Sequence, residues 1–442
     1  MVERAGGLTR NQVDTYSSDL VGIVRKTFNR LHDVADLHTI SVGAYAARAA
    51  PLIGSRTPRN SGGDAATQHS ASAAAIGEAL ERYSACWIEP SRLVTGTERN
   101  LADGGASVLP TEALRIFTDE QLAEDGFGLT QPGPDTTMPW IESGEVLSGR
   151  RVLIPAQLAY LTEVPGAPRI HTSTSNGLAF GTEPYAALLS GILELVERDA
   201  FMLTWYHQLT LPRIDTNSHP SLASFVRRHV APTGLQVSAI DLSVFTGVPA
   251  VLAVARPAVG GHGPIGVGAS AALRPEVACI KAMSEAVGSR SWAAQRVRSG
   301  SPCLVDSNWF ESIVDFEHHI DLFSDPAMYE YLDFLDASQE HRAVADIQGV
   351  LAPAGLASVE ALVIRLAERG VTIYSVDVTS PDVREAGGFV IRAFSPEMQP
   401  LDVSYRYRYL GHPRLRDAAM LAAAGEPLRD LSSLNHIPHP FP

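Results

Sequence analysis

Two nearly identical stretches constrain this chain more than anything else in it. One reads Ala74-Ala-Ile-Gly-Glu78-Ala-Leu-Glu81-Arg82, the other Ser190-Gly-Ile-Leu-Glu194-Leu-Val-Glu197-Arg198. Each is Glu-x-x-Glu-Arg inside a helical pattern. In the first, Ala73, Ile76, Leu80, Tyr83 and Trp87 recur at spacings of three and four and make one apolar stripe. Glu78, Glu81 and Arg82 share the opposite face, because residues three and four apart are neighbours on a helix. In the second, Tyr185, Leu188, Ile192, Leu195, Val196 and Leu203 make the stripe, with Glu194, Glu197 and Arg198 opposite.

A solvated face carrying Glu–Arg pairs is one reading of such a trio. Two details favour a pocket. The turn before each trio is small: Ser70, Ala71 and Ala74 on the first helix, Ala186, Ala187 and Ser190 on the second. The second helix then continues its acidic face with Phe201 and Trp205. Acidic pairs on two helices suit a hard cation with oxygen ligands. Neighbouring arginines suit phosphate oxygens. The pattern therefore predicts a site for Mg2+ and a nucleotide.

The bulk properties exclude several classes. The 442 residues carry a net charge of −14 and no long basic run, which argues against a nucleic-acid partner. No signal peptide and no 18-residue apolar run is evident, so no membrane partner and a cytoplasmic location are expected. Cys86, Cys279 and Cys303 have no metal or disulfide spacing and read as small buried hydrophobes.

Along the chain, Leu20–Val24 reads as a short amphipathic helix and Thr39–Val42 as a strand. Asn60-Ser-Gly-Gly-Asp64 reads as a loop feeding the first helix, either a phosphate cradle or a plain turn, with Thr67 or Ser70 as cap. Leu147–Arg150 predicts a hairpin turn before Val152–Pro155, and Asn176-Gly177 another turn. Thr182 is the candidate cap of the second helix, with Pro184 in its first turn. Val237–Ser243 with Ala250–Val254, and Ile373–Thr379 with Phe389–Phe394, repeat one strand–Asp–turn–strand plan. The glycine-rich Gly260–Gly263 reads as a hairpin turn. A third helix from Pro275 to about Val297 carries Lys281, Glu285 and Arg290 without a shared face. The closing Pro438-His-Pro440-Phe-Pro442 favours extended geometry, or a disordered tail. Helices that do not alternate strictly with strands give α+β.

These stretches resemble the YcaO-domain family. Leu20–Arg25, the first Glu-x-x-Glu-Arg helix, Ser175–Gly181 followed by Leu193–Ala200, and the Pro-x-Pro-x-Pro ending carry the likeness from about Leu20 to Pro442. The ending narrows it to azoline-forming peptide cyclodehydratases of the D-protein type. The resemblance implies a YcaO-like fold with pseudo-repeated sheets flanked by helices: an N-terminal segment 1–60, an ATP-binding unit 61–430 and a tail 431–442. It implies ATP and Mg2+, with Glu78, Glu81, Glu194 and Glu197 at the metal and Arg82, Arg198, Ser190, Glu285 and Arg290 at the nucleotide. Pro438, Pro440 and the carboxylate of Pro442 would enter and order the active site. The implied reaction closes thiazoline or oxazoline rings on Cys, Ser or Thr of a ribosomally made precursor peptide, as in bacteriocin maturation. A separate E1-like, leader-binding partner is expected, and a homodimer is a further implication. The chain departs from the pattern at Asp64 (where Lys is frequent), Ala74, Thr182 and Gly288. Thioamide or amidine formation, and a non-catalytic scaffold in a synthetase complex, are the alternatives.

Overall fold

The structure, a computed structural model, describes residues 8–31, 36–37, 39–50, 54, 58–65, 67–258, 263–300 and 309–441. Pro442, Cys303 and residues 260–262 of the glycine-rich turn lie outside them.

Three sheets and three long helices organise the described residues. The first sheet is an antiparallel run of β1 (Val24–Asn29), β2 (Ile40–Ala46) and β3 (Asn60–Ala65). The second begins with β4 (Leu93–Gly96), β5 (Met138–Glu145), β6 (Arg151–Pro155) and β7 (Leu178–Gly181). The third collects β8 (Arg213–Asp215), β9 (Gln236–Asp241), β10 (Ala250–Arg256), β11 (Gly266–Ala271) and β12 (His341–Ala343), in the order β11-β10-β9-β8-β12. β13 (Tyr374–Asp377) and β14 (Phe389–Phe394) then complete the second sheet, in the order β4-β5-β13-β14-β7 with β6 on β5. Among the strand pairs of the described residues, only β12 and β8 run parallel. The mostly antiparallel pairing makes this an α+β fold.

The helices α1 (Gln68–Ala85), α2 (Pro184–His207) and α3 (Pro275–Arg298) lie on these sheets. α1 covers β2, β3 and β7. α2 packs on β14, β7 and β11, and α3 packs on β11 and β10. Each contact is very close, and glycine makes room for it. A Cβ at Gly63 would overlap the Ala71 carbonyl and come within 2.6 Å of the Ala75 nitrogen. Cβ atoms at Gly266 and Gly268 would overlap the backbone of Ala286, and one at Gly177 would overlap the Ala393 carbonyl. Small residues on the helices and no side chain on the strand bring the two backbones together.

Several expectations change here. Residues 60–65 form the edge strand β3 rather than a loop, because Gly63 is where α1 needs a bare strand. Leu20 and Val21 are exposed in a turn, and β1 starts at Val24; five apolar residues were too few to separate a helix from a turn and strand. Thr67 caps α1 by accepting from the Ser70 N–H at 3.1 Å. Glu183, not Thr182, is the N-cap residue of α2, without a side-chain bond, while Pro184 takes the first position. Both repeated hairpins form, and they match in detail. Asp241 accepts from the N–H of Ser243 and pairs with Arg342; Asp377 accepts from the N–H of Thr379 and pairs with Arg384. Cys86 and Cys279 are buried, as expected. The tail is ordered through Phe441: Ile437, Pro438, His439, Pro440 and Phe441 are all buried.

Candidate functional site

On α1, Glu78 reaches down to β3. Its Oε2 accepts from the Gly62 N–H at 2.7 Å, and its Oε1 pairs with Arg82 at 2.5 Å. Arg82 in turn donates to the Asn60 carbonyl at 2.7 Å. The i,i+4 pair is therefore bolted to the strand below it and is not a free solvated pair.

The other two helices repeat this arrangement. Glu194 on α2 accepts from the N–H of Gly177, in the Asn-Gly turn whose positive φ of 74° suits glycine. Glu285 on α3 accepts from the Ala269 N–H of β11 at 3.0 Å. The donors precede their glutamates by 16, 17 and 16 residues. One unit, strand or turn N–H plus helical carboxylate, thus occurs three times.

The three carboxylates converge. Glu194 feels Arg198 and Arg392 as partners and Glu78 of α1 as a like charge. Glu197 feels Arg198 as a partner and Glu285 and Glu194 as like charges, with Lys281 a more distant cation. Burial outweighs these partners. It pushes the Glu197 carboxyl up to about 8 and that of Glu285 up to about 7, and it also raises Glu194. Burial, only partly offset by the neighbouring cations, thus keeps part of this acid cluster protonated near neutral pH. Side-chain exposures of 24% for Glu194 and 14% for Glu197 leave it open along one edge. Glu81 joins from α1 through Arg392, whose guanidinium it helps keep charged.

Arg198 stands at the centre. It lies 3.4 Å from Glu197 and 3.7 Å from Glu194. The 3.4 Å contact is an ion pair from Nε that falls short of a hydrogen bond, and the buried Nη1 has no hydrogen-bond partner. Buried guanidinium nitrogens without an acceptor are costly, and an anion at this point would satisfy them. The flat face of Arg198 is stacked on the ring of Phe441, with Cζ 4.3 Å from its centroid. The tail thus reaches the acidic pocket. Asp199, next in sequence, points away and pairs with Arg414 at 3.0 Å in the core.

Other candidates are placed unequally. Ser190 is exposed, one turn before Glu194. Gly288 is exposed on α3 with open space where a side chain would stand. Ala74 packs beside Gly63, and Asp64 is exposed on β3. Arg290 lies beside Gly263 and Tyr329, under the β10–β11 turn, and is not among the charges acting most on Glu197 or Glu285. Pro438 and Pro440 are buried in the tail. Arg392 was missed. It donates to the carbonyls of Asn176 (2.6 Å), Thr174 (2.8 Å) and Ala159 (3.3 Å), so it fixes the turn that holds Glu194. A lone arginine in an apolar strand was its only sequence signal. An open cleft of about 800 Å³ lies on the other side of α1, lined by Arg25, Tyr45, Arg48, Arg59 and Tyr83. Its lining includes none of the clustered carboxylates, and the chemistry of the cluster outweighs the size of that cleft.

The residues present fit a Mg2+–phosphate group. Among the described residues, no three His, Cys, Asp or Glu side chains could hold a metal by themselves. Mg2+ is commonly held by one or two carboxylates together with phosphates, so a spread of acids around an unsatisfied arginine suits it better than a closed cage would.

Fold and site define a class: an α+β protein with an acidic pocket for a hard cation and an anion. The chain belongs to the YcaO family, since the model for "YcaO cyclodehydratase", described as ATP- and Mg2+-binding, matches residues 62–399. An uncharacterised protein of Methanothermobacter thermautotrophicus is 27% identical over 235 residues, covering 52% of this chain and 56% of that one. A heterocyclase solved in complex with substrate and cofactor superposes with a TM-score of 0.73 at 22% identity, over 100% of this chain and 59% of that one. YcaO from Methanopyrus kandleri, bound with AMPPCP and Mg2+, gives a TM-score of 0.60 at 19% identity, over 85% and 86% of the two chains. The chain thus spans little more than half of the first two. ATP and Mg2+ are the ligands of this domain family. Among the described residues, no helix is long and apolar enough to cross a membrane.

Proposed function

We propose that this chain is the ATP-dependent cyclodehydratase component of a system that forms azolines in a ribosomally made precursor peptide. The observation that carries the reading is Arg198, a largely buried guanidinium whose Nη1 has no hydrogen-bond partner and whose Nε only ion-pairs with Glu197, ringed by Glu194, Glu197 and Glu285 and stacked on Phe441 of the tail.

In this reading Glu78, Glu81, Glu194 and Glu197 hold Mg2+ and orient the phosphates, and Glu285 joins them. Arg198 contacts phosphate oxygens. Arg82 keeps Glu78 on its strand, and Arg392 keeps the Gly177 turn under Glu194. Ser190, exposed one turn before Glu194, would contact the nucleotide. Bound Mg2+ supplies charge neutralisation on the transferring phosphoryl group. The side-chain oxygen or sulfur of a substrate Ser, Thr or Cys attacks the preceding backbone carbonyl carbon. The resulting oxyanion takes the γ-phosphoryl group, ADP leaves, and loss of phosphate with the amide proton closes the C=N bond of the ring. Such a transfer needs positioning and charge stabilisation above all, which a ring of carboxylates and an arginine can give. The tail orders the site: the buried Pro438 and Pro440 fix Phe441 against Arg198, and the carboxylate of Pro442 would serve the same site.

A separate leader-binding partner presents the peptide. This is supported by the likeness to a chain of the E. coli microcin synthetase complex, solved with its pro-peptide bound (TM-score 0.55 at 13% identity). The test is to combine the chain with that partner, precursor peptide, ATP and Mg2+ and to follow intact mass. Loss of one water per modified residue is expected. Exchange of oxygen for sulfur at unchanged water content would instead establish the thioamide reading. An unmodified peptide, with no ATP consumed by the assembled system, would leave a scaffold.

A further inference from the structure

The path of the tail is fixed in two stages. Asn435 donates its N–H to the Tyr206 carbonyl at 2.7 Å, and Trp205 Nε1 donates to the Ile437 carbonyl at 2.9 Å, so α2 holds the first stage. Beyond Ile437 the hold passes to His319, from the helix Phe316–Leu322. His319 is fully buried. Its ring stacks on that of His439, with centroids 4.0 Å apart and planes 11° from parallel. Its Nδ1 lies 2.7 Å from the His439 carbonyl, and its Nε2 lies 3.1 Å from the Val403 carbonyl.

Both ring nitrogens of His319 face carbonyls, yet a neutral imidazole donates from only one of them. Burial pushes the pKa of His319 down to about 3 and that of His439 to about 4, so both rings are neutral at pH 7. The shorter contact takes the proton, which places it on Nδ1, toward the tail. His439 is fixed the opposite way. Its Nε2 donates to the Asp402 carbonyl at 2.7 Å, while its Nδ1 accepts from the Phe441 N–H at 3.3 Å. These bonds lead directly to the ring of Phe441, which packs 4.8 Å from Phe201 and beneath Arg198.

We propose that His319 is a positioning residue: through Nδ1 and its stacked ring it holds His439, and thereby sets Phe441 on the guanidinium of Arg198. The inference rests on the nucleotide-site reading above, and His319 itself touches none of the clustered carboxylates.

The side chains of Asn and Gln separate this role from plain structural filling. An Asn amide nitrogen stands where Nδ1 stands and can still meet the His439 carbonyl. A Gln amide nitrogen stands nearer Nε2 and meets Val403 instead. Two readouts on the 442-residue chain decide: calorimetric affinity for a non-hydrolysable ATP analogue with Mg2+, and the rate at which carboxypeptidase trims the tail. His319→Gln is expected to weaken binding roughly tenfold, about one lost buried hydrogen bond, and to speed trimming. His319→Asn is expected to stay near wild type in both. Equal effects of the two substitutions, or wild-type trimming in His319→Gln, would overturn the inference. If His319→Gln frees the tail but deletion of Phe441 and Pro442 leaves binding unchanged, the positioning stands and the nucleotide role of the tail falls. A measurement on the unaltered protein needs no variant to fold: imidazole 15N NMR should show His319 protonated at Nδ1 and His439 at Nε2. A cationic or Nε2-protonated His319 would contradict the assignment.

Discussion

Glu197 and Glu285 keep their protons near neutral pH because the pocket buries more carboxylate than Arg198 can offset. The sign of the consequence is definite. A carboxyl raised in the folded state stabilises that state fully below its ordinary pKa, near 4.5, and loses this as pH rises through the folded values of about 7 and about 8. The ligand-free protein should therefore lose stability between pH 5 and 8, and Mg2+ with ATP should flatten the curve by replacing the protons. Thermal melts across that range, with and without the ligands, check this. Glu194→Gln removes one buried negative charge, so its melting temperature should hold or rise while calorimetric affinity for Mg2+–ATP falls by roughly tenfold or more. Arg198→Lys keeps the charge but loses the planar fork and the flat face on Phe441. Its affinity should drop too, because a lysine cannot replace an arginine at a stacked, multiply bonding site.

At the scale of elements, the repeated unit is a helix lowered onto a glycine so that one carboxylate can take a backbone N–H. The helices themselves were plain in the sequence, since Glu-x-x-Glu-Arg opposite an apolar stripe can hardly be anything else. The strand beneath α1 was not. Gly62-Gly63 reads as a loop because glycine is depleted from strands, and only the approach of Ala71 and Ala75 explains its place in β3. Glu285 was legible only through the family likeness: the charge beside it on its own helix is Lys281, an ordinary i,i+4 pair, and its anchor is a tertiary N–H from Ala269. Arg392 was invisible for the same reason, its partners being three carbonyls from distant segments. Gly63→Ala tests the unit. Forcing a methyl group between two backbones should cost about 1–3 kcal/mol by urea denaturation and should weaken Mg2+–ATP binding through Glu78.

For the molecule as a whole, three helices from three parts of the chain supply the acids, and residues 435–441 reach them from the far end through Phe441 on Arg198. The sequence separations are long, so the site exists only when all three sheets are assembled. This is why periodicity reached the two acidic helices but not their meeting point. The same dependence explains how an ordered tail can matter to a pocket it merely borders. Deleting Phe441 and Pro442 removes a fully buried ring, so it should lower the melting temperature while leaving a folded protein that closes no rings in the reconstituted system; unimpaired turnover would refute the role given to the tail. The most direct test of the central claim is calorimetry of ATP binding to the folded chain, with its partner present, with and without Mg2+. The account predicts Mg2+-dependent binding that is lost in Arg198→Ala and Glu194→Gln variants of unchanged fold. An absence of binding to the folded wild type, or binding indifferent to Mg2+ and to both substitutions, would contradict it.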